Sequence, residues 1–236
     1  MHQKRNFFQL SLYSLAGLML LFQSCKKQEP MDQYIADIPE VENSVHRVEF
    51  EFTQPVNHKN PDGETFTQRV ILNHVGYDRP TVVKFEGYGL YSKDRGELAK
   101  ILNANQITIE HRYFKESKPA TPDWKYLTIW QAATDHHTII QAFKDLYSRK
   151  WVSTGISKGG QATMYHRRFY PDDVTAGVPY VAPLNFSKED ERVYDFLDTL
   201  GSEECRQKIF AFQKELFKRK GQLLKMYQTY AKQKDY

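Results

Sequence analysis

Apolar and polar residues alternate along Val45-His46-Arg47-Val48-Glu49-Phe50-Glu51-Phe52, the period-two pattern of a strand with one buried face. A second β-prone run, 66–74, follows a stretch dense in turn formers (Asn57, Asn60, Pro61, Asp62, Gly63), so the two runs are predicted to pair as an antiparallel hairpin. A third strand is predicted over 81–86, ending in Gly87-Tyr88-Gly89. Helical spacing follows in Glu97, Leu98, Ile101 and Leu102, and Asn103-Ala104-Asn105 closes it before a fourth strand over 106–110. A long helix is predicted over 129–147, with Ile129, Ala132, Ala133, His136, Ile140, Phe143, Leu146 and Tyr147 recurring on one side. Trp151-Val152 opens a fifth strand, and 174–182 a sixth. From residue 188 to the end the pattern is charged and helical, with apolar Val193, Phe196, Leu197, Leu200, Ile209, Phe210, Phe212, Leu216, Leu223 and Leu224.

Between the fifth strand and the next helical segment (Ala162, Met164, Tyr165, Arg168 and Phe169, stopped by Pro171) lies Gly155-x-Ser157-x-Gly159. Strand, Gly-x-Ser-x-Gly, helix is the context of a nucleophile elbow. At such a bend the serine takes a strained backbone conformation that lifts its hydroxyl clear of the sheet. Residues two before and two after then lie too close to carry side chains. The following helix aims its first amides at the point where an oxyanion would form. Ser157 is therefore the predicted nucleophile; the alternative is a glycine-rich βα turn with an incidental serine. Two antiparallel starting strands followed by β-α-β-α-β-α-β has the rhythm of an α/β-hydrolase sheet, with the elbow after the fifth strand. The fold class expected is α/β: a mostly parallel sheet with antiparallel N-terminal strands, C-terminally truncated and ending in the start of a helical cap.

Composition narrows this picture only slightly. A chain of 236 residues, 40% hydrophobic and 26% charged, suits one domain with a sizeable core. Lys4 and Arg5 followed by the apolar stretch 10–22 predict an export signal over 1–24, too short for a comfortable bilayer span. Without those two charges the net +4 becomes +2. Phe22-Gln23-Ser24-Cys25 resembles the lipobox of bacterial lipoproteins, with Gln23 its one departure, which makes Cys25 the candidate lipidated residue. The alternative is an ordinary signal peptide with a spectator cysteine. Residues 25–42 are polar and read as a tether, 43–186 as the N-terminal part of the hydrolase domain, and 187–236 as the start of a cap or lid. The remaining Cys205 has no partner for an internal disulfide and is expected in the core. No basic stripe with interleaved aromatics precedes residue 206, which argues against nucleic acid as a partner. The basic residues after it are expected on a solvated face. No metal-ligand spacing or phosphate loop stands out, and no cofactor is expected.

Glu110-His111-Arg112-Tyr113-Phe114-x-x-Ser117-x-Pro119, together with Thr154-Gly155-x-Ser157-Lys158-Gly159-Gly160, resembles the secreted prolyl tripeptidyl aminopeptidases of bacteria. These are relatives of prolyl carboxypeptidase and dipeptidyl peptidase. Phe52-Thr53-Gln54-Pro55-Val56-Asn57-His58, Asp123-Trp124-x-x-Leu127-Thr128, Gln131-Ala132-Ala133-x-Asp135 and Tyr180-Val181-Ala182-Pro183 support the likeness, which covers residues 47 to about 215. It implies a serine exopeptidase that releases tripeptides from free N-termini, often after proline. The export signal and the lipobox-like Cys25 separately lead to the expectation of a lipid anchor in the bacterial cell envelope, at the outer membrane or cell surface. The alternatives are an esterase or lipase of the same fold, or an inert surface-binding lipoprotein.

In the peptidase reading Ser157 attacks the scissile carbonyl, and the Lys158 backbone N–H is one oxyanion donor. Tyr88 or Gly89 is the candidate second donor, against a glycine turn required only by packing. The Lys158 side chain is expected to be a solvated or locally paired charge. Glu86 and Glu110, at strand ends on the site side, are candidates to hold a substrate's α-ammonium group; Glu110 alternatively pairs with Arg112 or another basic neighbour. Arg112 and Tyr113 are expected to anchor their loop, and His136 and His137 to serve packing and surface roles. In this fold the acid and histidine follow the serine in the chain. His166 is the one histidine after Ser157, and nine helical residues put it about 13 Å away. Upstream, His111 at the end of the fourth strand could approach the site, but its place before the serine is the wrong order for this fold. The acid and the histidine are therefore expected beyond Tyr236, leaving this chain without its base.

Overall fold

A computed structural model describes residues 45–234. The predicted signal peptide, the Cys25 lipidation site and the tether lie outside the described residues. The described chain falls into two compact units, one ending at residue 183 and one beginning at residue 184.

The first unit is built on six strands: β1 (His46–Pro55), β2 (Thr65–His74), β3 (Thr81–Phe85), β4 (Asn105–Ile109), β5 (Trp151–Ile156) and β6 (Ala176–Tyr180). They lie in the order β1-β2-β4-β3-β5-β6. The β1–β2 hairpin is antiparallel from His46↔His74 to Pro55↔Thr65, and β2 is antiparallel to β4. β4, β3, β5 and β6 run parallel, so their C-terminal ends open onto one edge. Every residue of β4 is buried, and all of β3 except half-buried Lys84. This is the pattern of parallel strands covered on both faces.

Alternation sorts the two faces. Val83, Phe85, Ile107 and Ile109 point into the main core, where Ile139, Ile140 and Phe143 of helix α2 (Ile129–Lys144) meet Trp151 and Ala162. Ala162 belongs to helix α3 (Lys158–Phe169). Val82 lies out of step with Val83 and packs instead with Ala99 of the short helix α1 (Glu97–Ile101) and with Ala104. Each fully buried Ile or Phe of α2 stabilises this packing by roughly 1.5–3 kcal/mol, so Phe143→Ala alone costs about 3–5 kcal/mol. Thr128 starts α2 by accepting a hydrogen bond from the Gln131 N–H at 3.3 Å. The predicted core face of that helix needs two corrections. Ile129, in the uncovered first turn, is exposed, and Asp135 is buried among the apolar positions.

The second unit holds three helices, α4 (Glu191–Thr199), α5 (Glu203–Lys218) and α6 (Lys220–Gln233). Asp190 and Ser202 cap α4 and α5, accepting from the Arg192 and Cys205 N–H groups. None of the three helices buries a residue. Cys205, expected in the core, is exposed. It sits in the capped first turn of α5, and the short helices of this unit enclose no interior that could take it.

Candidate active site

Ser157 follows the last residue of β5 and precedes the first of α3, at φ 56°, ψ −119°, with an exposed side chain. This lies in the left-handed half of backbone space, which costs a non-glycine residue of order 1–3 kcal/mol. The neighbours show why the bend is held. A methyl group on Gly155 would lie 2.2 Å from the Gly159 carbonyl oxygen, and one on Gly159 would lie 2.3 Å from that of Phe85. The chain crosses itself there at backbone distance, so both positions exclude any Cβ. The Ser157 N–H donates to the Tyr180 carbonyl at 3.0 Å, tying the bend to β6. The first amides of α3 have no acceptor within their own helix, and the Lys158 N–H is among them.

The loop after β3 closes against the elbow. A methyl group on Gly87 would lie 2.6 Å from Lys158 Cβ and 2.7 Å from the Gly159 nitrogen. Tyr88, next along, is about half exposed, and its carbonyl accepts from the His111 N–H at 3.1 Å. The same criterion separates Gly89, where a Cβ would meet only the flexible Lys115 side chain. Glu86 is half-buried and paired to Lys84 at 2.6 Å.

The loop after β4 is fastened from beneath. Glu110 has no exposed surface: one carboxylate oxygen accepts from the Leu90 N–H at 2.8 Å, the other from the Ser117 hydroxyl at 2.6 Å. Arg69 stands 3.7 Å from it. Of the two readings open in the sequence, this geometry matches the pairing one, with Arg69 in place of Arg112 as the basic neighbour; no face of Glu110 is turned toward a substrate. Arg112 is equally buried, and its guanidinium holds Asp135 through two hydrogen bonds of 2.6 and 2.7 Å. It also donates to the carbonyls of Val56, Tyr126 and Pro55. Asp135 in turn meets His58 Nε2 at 2.7 Å. These anchors carry a loop in which Tyr113 and Lys115 both have positive φ, 69° and 45°.

The Lys158 side chain departs in part from expectation: it is only partly solvated, and among the described residues no carboxylate pairs with it. It is half-buried, its Nζ lies 5.0 Å from the Tyr88 ring centroid and 4.6 Å from that of Phe114, and burial lowers its pKa. His111, buried close by, donates from Nδ1 to the Arg112 carbonyl at 2.9 Å. Burial, and next the Lys158 charge, lower its pKa to about 4.

No described histidine hydrogen-bonds to the Ser157 hydroxyl. His166 is buried at the far end of α3, with Nε2 2.9 Å from Asp173, and His137 meets the same carboxylate at 2.8 Å. His136 stacks on Phe85 with centroids 4.0 Å apart, and neither ring nitrogen has a partner. The sequence reading missed Asp135, Asp173 and the aromatic pair around Lys158. A carboxylate inside an apolar helical face was the available signal for Asp135; the other two leave no local pattern.

The strand order and a serine strained into the bend after β5 define an α/β-hydrolase-type domain with a nucleophile elbow. The chain belongs to the peptidase S37 family: the family described as PS-10 peptidase S37 matches residues 35–236. A prolyl tri/tetrapeptidyl aminopeptidase of Streptomyces mobaraensis is 40% identical over 184 residues, covering 77% of this chain and 39% of that protein. The chain thus spans about two-fifths of the length of this curated relative. Among solved structures, an α/β fold family hydrolase from Bacillus anthracis is 14% identical, with a TM-score of 0.41 over 73% of this chain and 63% of that one. An esterase of Pyrococcus furiosus is 16% identical, with a TM-score of 0.42 over 67% of this chain and 66% of that one.

Proposed function

We propose that this chain carries the nucleophile of a serine peptidase that releases tripeptides from free N-termini, preferring proline, through an acyl-enzyme on Ser157. The observation that supports the reading most directly is the strained, exposed Ser157 in a bend whose glycines admit no side chain. Membership of the S37 family and the named activity of the relative from Streptomyces mobaraensis point to peptides rather than other acyl substrates. In this reading the Ser157 hydroxyl attacks the scissile carbonyl and the amine leaves with a proton. Water then releases the acyl group. The Lys158 N–H, with Tyr88 or Gly89 as second donor, takes the charge on the carbonyl oxygen. Glu86, which keeps some exposed surface where Glu110 has none, is the better candidate for the substrate's ammonium group, which would compete with Lys84 for its carboxylate.

No described histidine hydrogen-bonds to the Ser157 hydroxyl, and the fold places the histidine after the serine in the chain, so the reading includes a general base and its carboxylate partner from sequence outside residues 45–234. The test is labelling with a fluorophosphonate serine probe. The protein expressed from its complete gene labels strongly and loses the label in Ser157→Ala, while the 236-residue chain labels weakly or not at all. Strong Ser157-dependent labelling of the short chain overturns the outside-base inference. Absence of labelling in the complete protein leaves the inert binding lipoprotein as the better account. Turnover of p-nitrophenyl esters without turnover of proline peptides favours the esterase. The same reading has the protein exported and held to the bacterial envelope by lipid on Cys25. Metabolic labelling with a palmitate analogue, lost in Cys25→Ala, is the expected result, and labelling unchanged by that substitution removes the anchor.

A further inference from the structure

The Lys158 ammonium stands one residue from the proposed nucleophile, with no counter-ion among the described residues. Tyr88 from the loop after β3 and Phe114 from the loop after β4 meet edge to face, with centroids 5.4 Å apart, and hold it over their ring faces. Ring faces attract the charge but accept none of its three N–H donors as a carboxylate would. Among the described residues no carboxylate pairs with it, and burial lowers its pKa. The nearest acids on the same edge are already committed: Glu86 to Lys84, and Glu110 to Leu90, Ser117 and Arg69. A partly desolvated cation with unused donors, fixed in position by aromatic rings, is a recognition point for an anion.

We propose that Lys158 is a specificity-determining residue that takes an acidic side chain, aspartate or glutamate, of the peptide at a position flanking the scissile bond. The inference rests on the peptidase reading given above. An extended peptide advances about 3.3 Å per residue, so a side chain one residue from the attacked carbonyl falls within range of the lysine adjoining the nucleophile. Tyr88 and Phe114 act as positioning residues: they hold the ammonium at the rim and keep it from folding back into solvent.

The experiment uses the protein expressed from its complete gene and proline peptides that differ only in carrying Glu, Gln or Lys, placed either just before the residue that is cleaved or just after the scissile bond. At one of these positions kcat/KM for the Glu peptide is expected to exceed that for the Gln peptide by about tenfold, mostly through KM, as for a charge-assisted hydrogen bond. The preference shrinks as salt is added. In Lys158→Met the Glu-to-Gln ratio falls to about one, and Lys158→Glu turns the preference toward the Lys peptide. A lysine that merely supports the loop would lower all three peptides by one factor and leave their ratios unchanged. Equal Glu and Gln rates at both positions in the parent, or a ratio that survives Lys158→Met, overturns the proposal while leaving the peptidase reading in place. Failure to cleave any of the peptides by a Ser157-dependent route overturns both.

Discussion

Arg112→Met is the most informative perturbation of the scaffold beneath the site. The guanidinium makes five hydrogen bonds: two to Asp135, and one each to the carbonyls of Val56, Tyr126 and Pro55. It thereby joins the end of β1, the turn before α2, α2 itself and the loop after β4, all without exposure to water. Methionine replaces the stem but leaves Asp135 ionised in the interior, with His58 its remaining partner at 2.7 Å. Breaking a buried pair in this way costs about 3–5 kcal/mol, because the orphaned charge keeps its desolvation penalty. For a chain of this size each kcal/mol is worth about 2–4 °C, so the melting temperature should fall by roughly 6–20 °C. Thermal melts followed by circular dichroism, with urea midpoints as a check, read this directly. The double variant Arg112→Met/Asp135→Leu removes the orphaned charge and should recover at least half of the loss. A single variant that melts within about 2 °C of the parent, or a double variant no more stable than the single, refutes the view that this pair holds the loop.

Two further perturbations test the elbow and its titrating neighbours. Gly155→Ala drives a methyl group to 2.2 Å from the Gly159 carbonyl oxygen and 2.8 Å from that of Phe85. It should destabilise by about 1–3 kcal/mol or more and abolish probe labelling of Ser157 in the complete protein. Gly221→Ala, with nothing within 4 Å in α6, serves as the control and should stabilise slightly; a Gly155→Ala protein that melts like the parent sinks the crossing argument. Acidification should also destabilise. His111 titrates near 4 when folded against 6.5 ordinarily, so the unfolded chain binds more protons between those values. Stability is therefore full above about pH 6.5 and falls as the pH drops toward 4, by up to roughly 3 kcal/mol from this residue. His136, whose pKa burial holds well below the ordinary value, adds to the loss with the same sign. Urea midpoints at pH 7 and pH 4.5 measure the slope, His111→Gln should flatten it, and equal midpoints would contradict it.

The strands and the elbow were legible because their causes are local. Alternation marks a half-buried strand within a few residues, and Gly155 and Gly159 flank Ser157 at the spacing that the backbone crossing dictates. The end of α2 was less legible: after Lys144 the chain leaves the helix, yet Leu146 and Tyr147 still donate to the Phe143 carbonyl, so the apolar rhythm outlasts the helix by one turn. What the chain order hides is pairing across long separations. Arg112 and Asp135 lie 23 residues apart and His166 and His137 converge on Asp173, while Lys158 meets rings from two other loops. Glu110 shows the same limit from the other side. Its place at a strand end was correctly read, but only the donors around it reveal that both oxygens are occupied.

The distribution of these anchors explains how a strained serine persists at an exposed edge. A residue at φ 56° relaxes unless its neighbours forbid the alternatives. Three contacts do so from two strands: Gly155 and Gly159 are locked against the Phe85 carbonyl of β3, and the Ser157 N–H is fixed to Tyr180 of β6. Gly87 closes the fourth side from the loop that carries the candidate oxyanion donor. The loop after β4, which supplies Phe114, is held instead by buried polar groups, Glu110 and the Arg112–Asp135 pair. Apolar packing alone would tolerate small sliding of that loop, whereas bidentate hydrogen bonds in a site closed to water penalise each displacement steeply. The bend is thus set by backbone crowding and its surroundings by directional bonds. Both sets of contacts lie within the first unit, so that unit by itself holds the proposed nucleophile in its strained conformation.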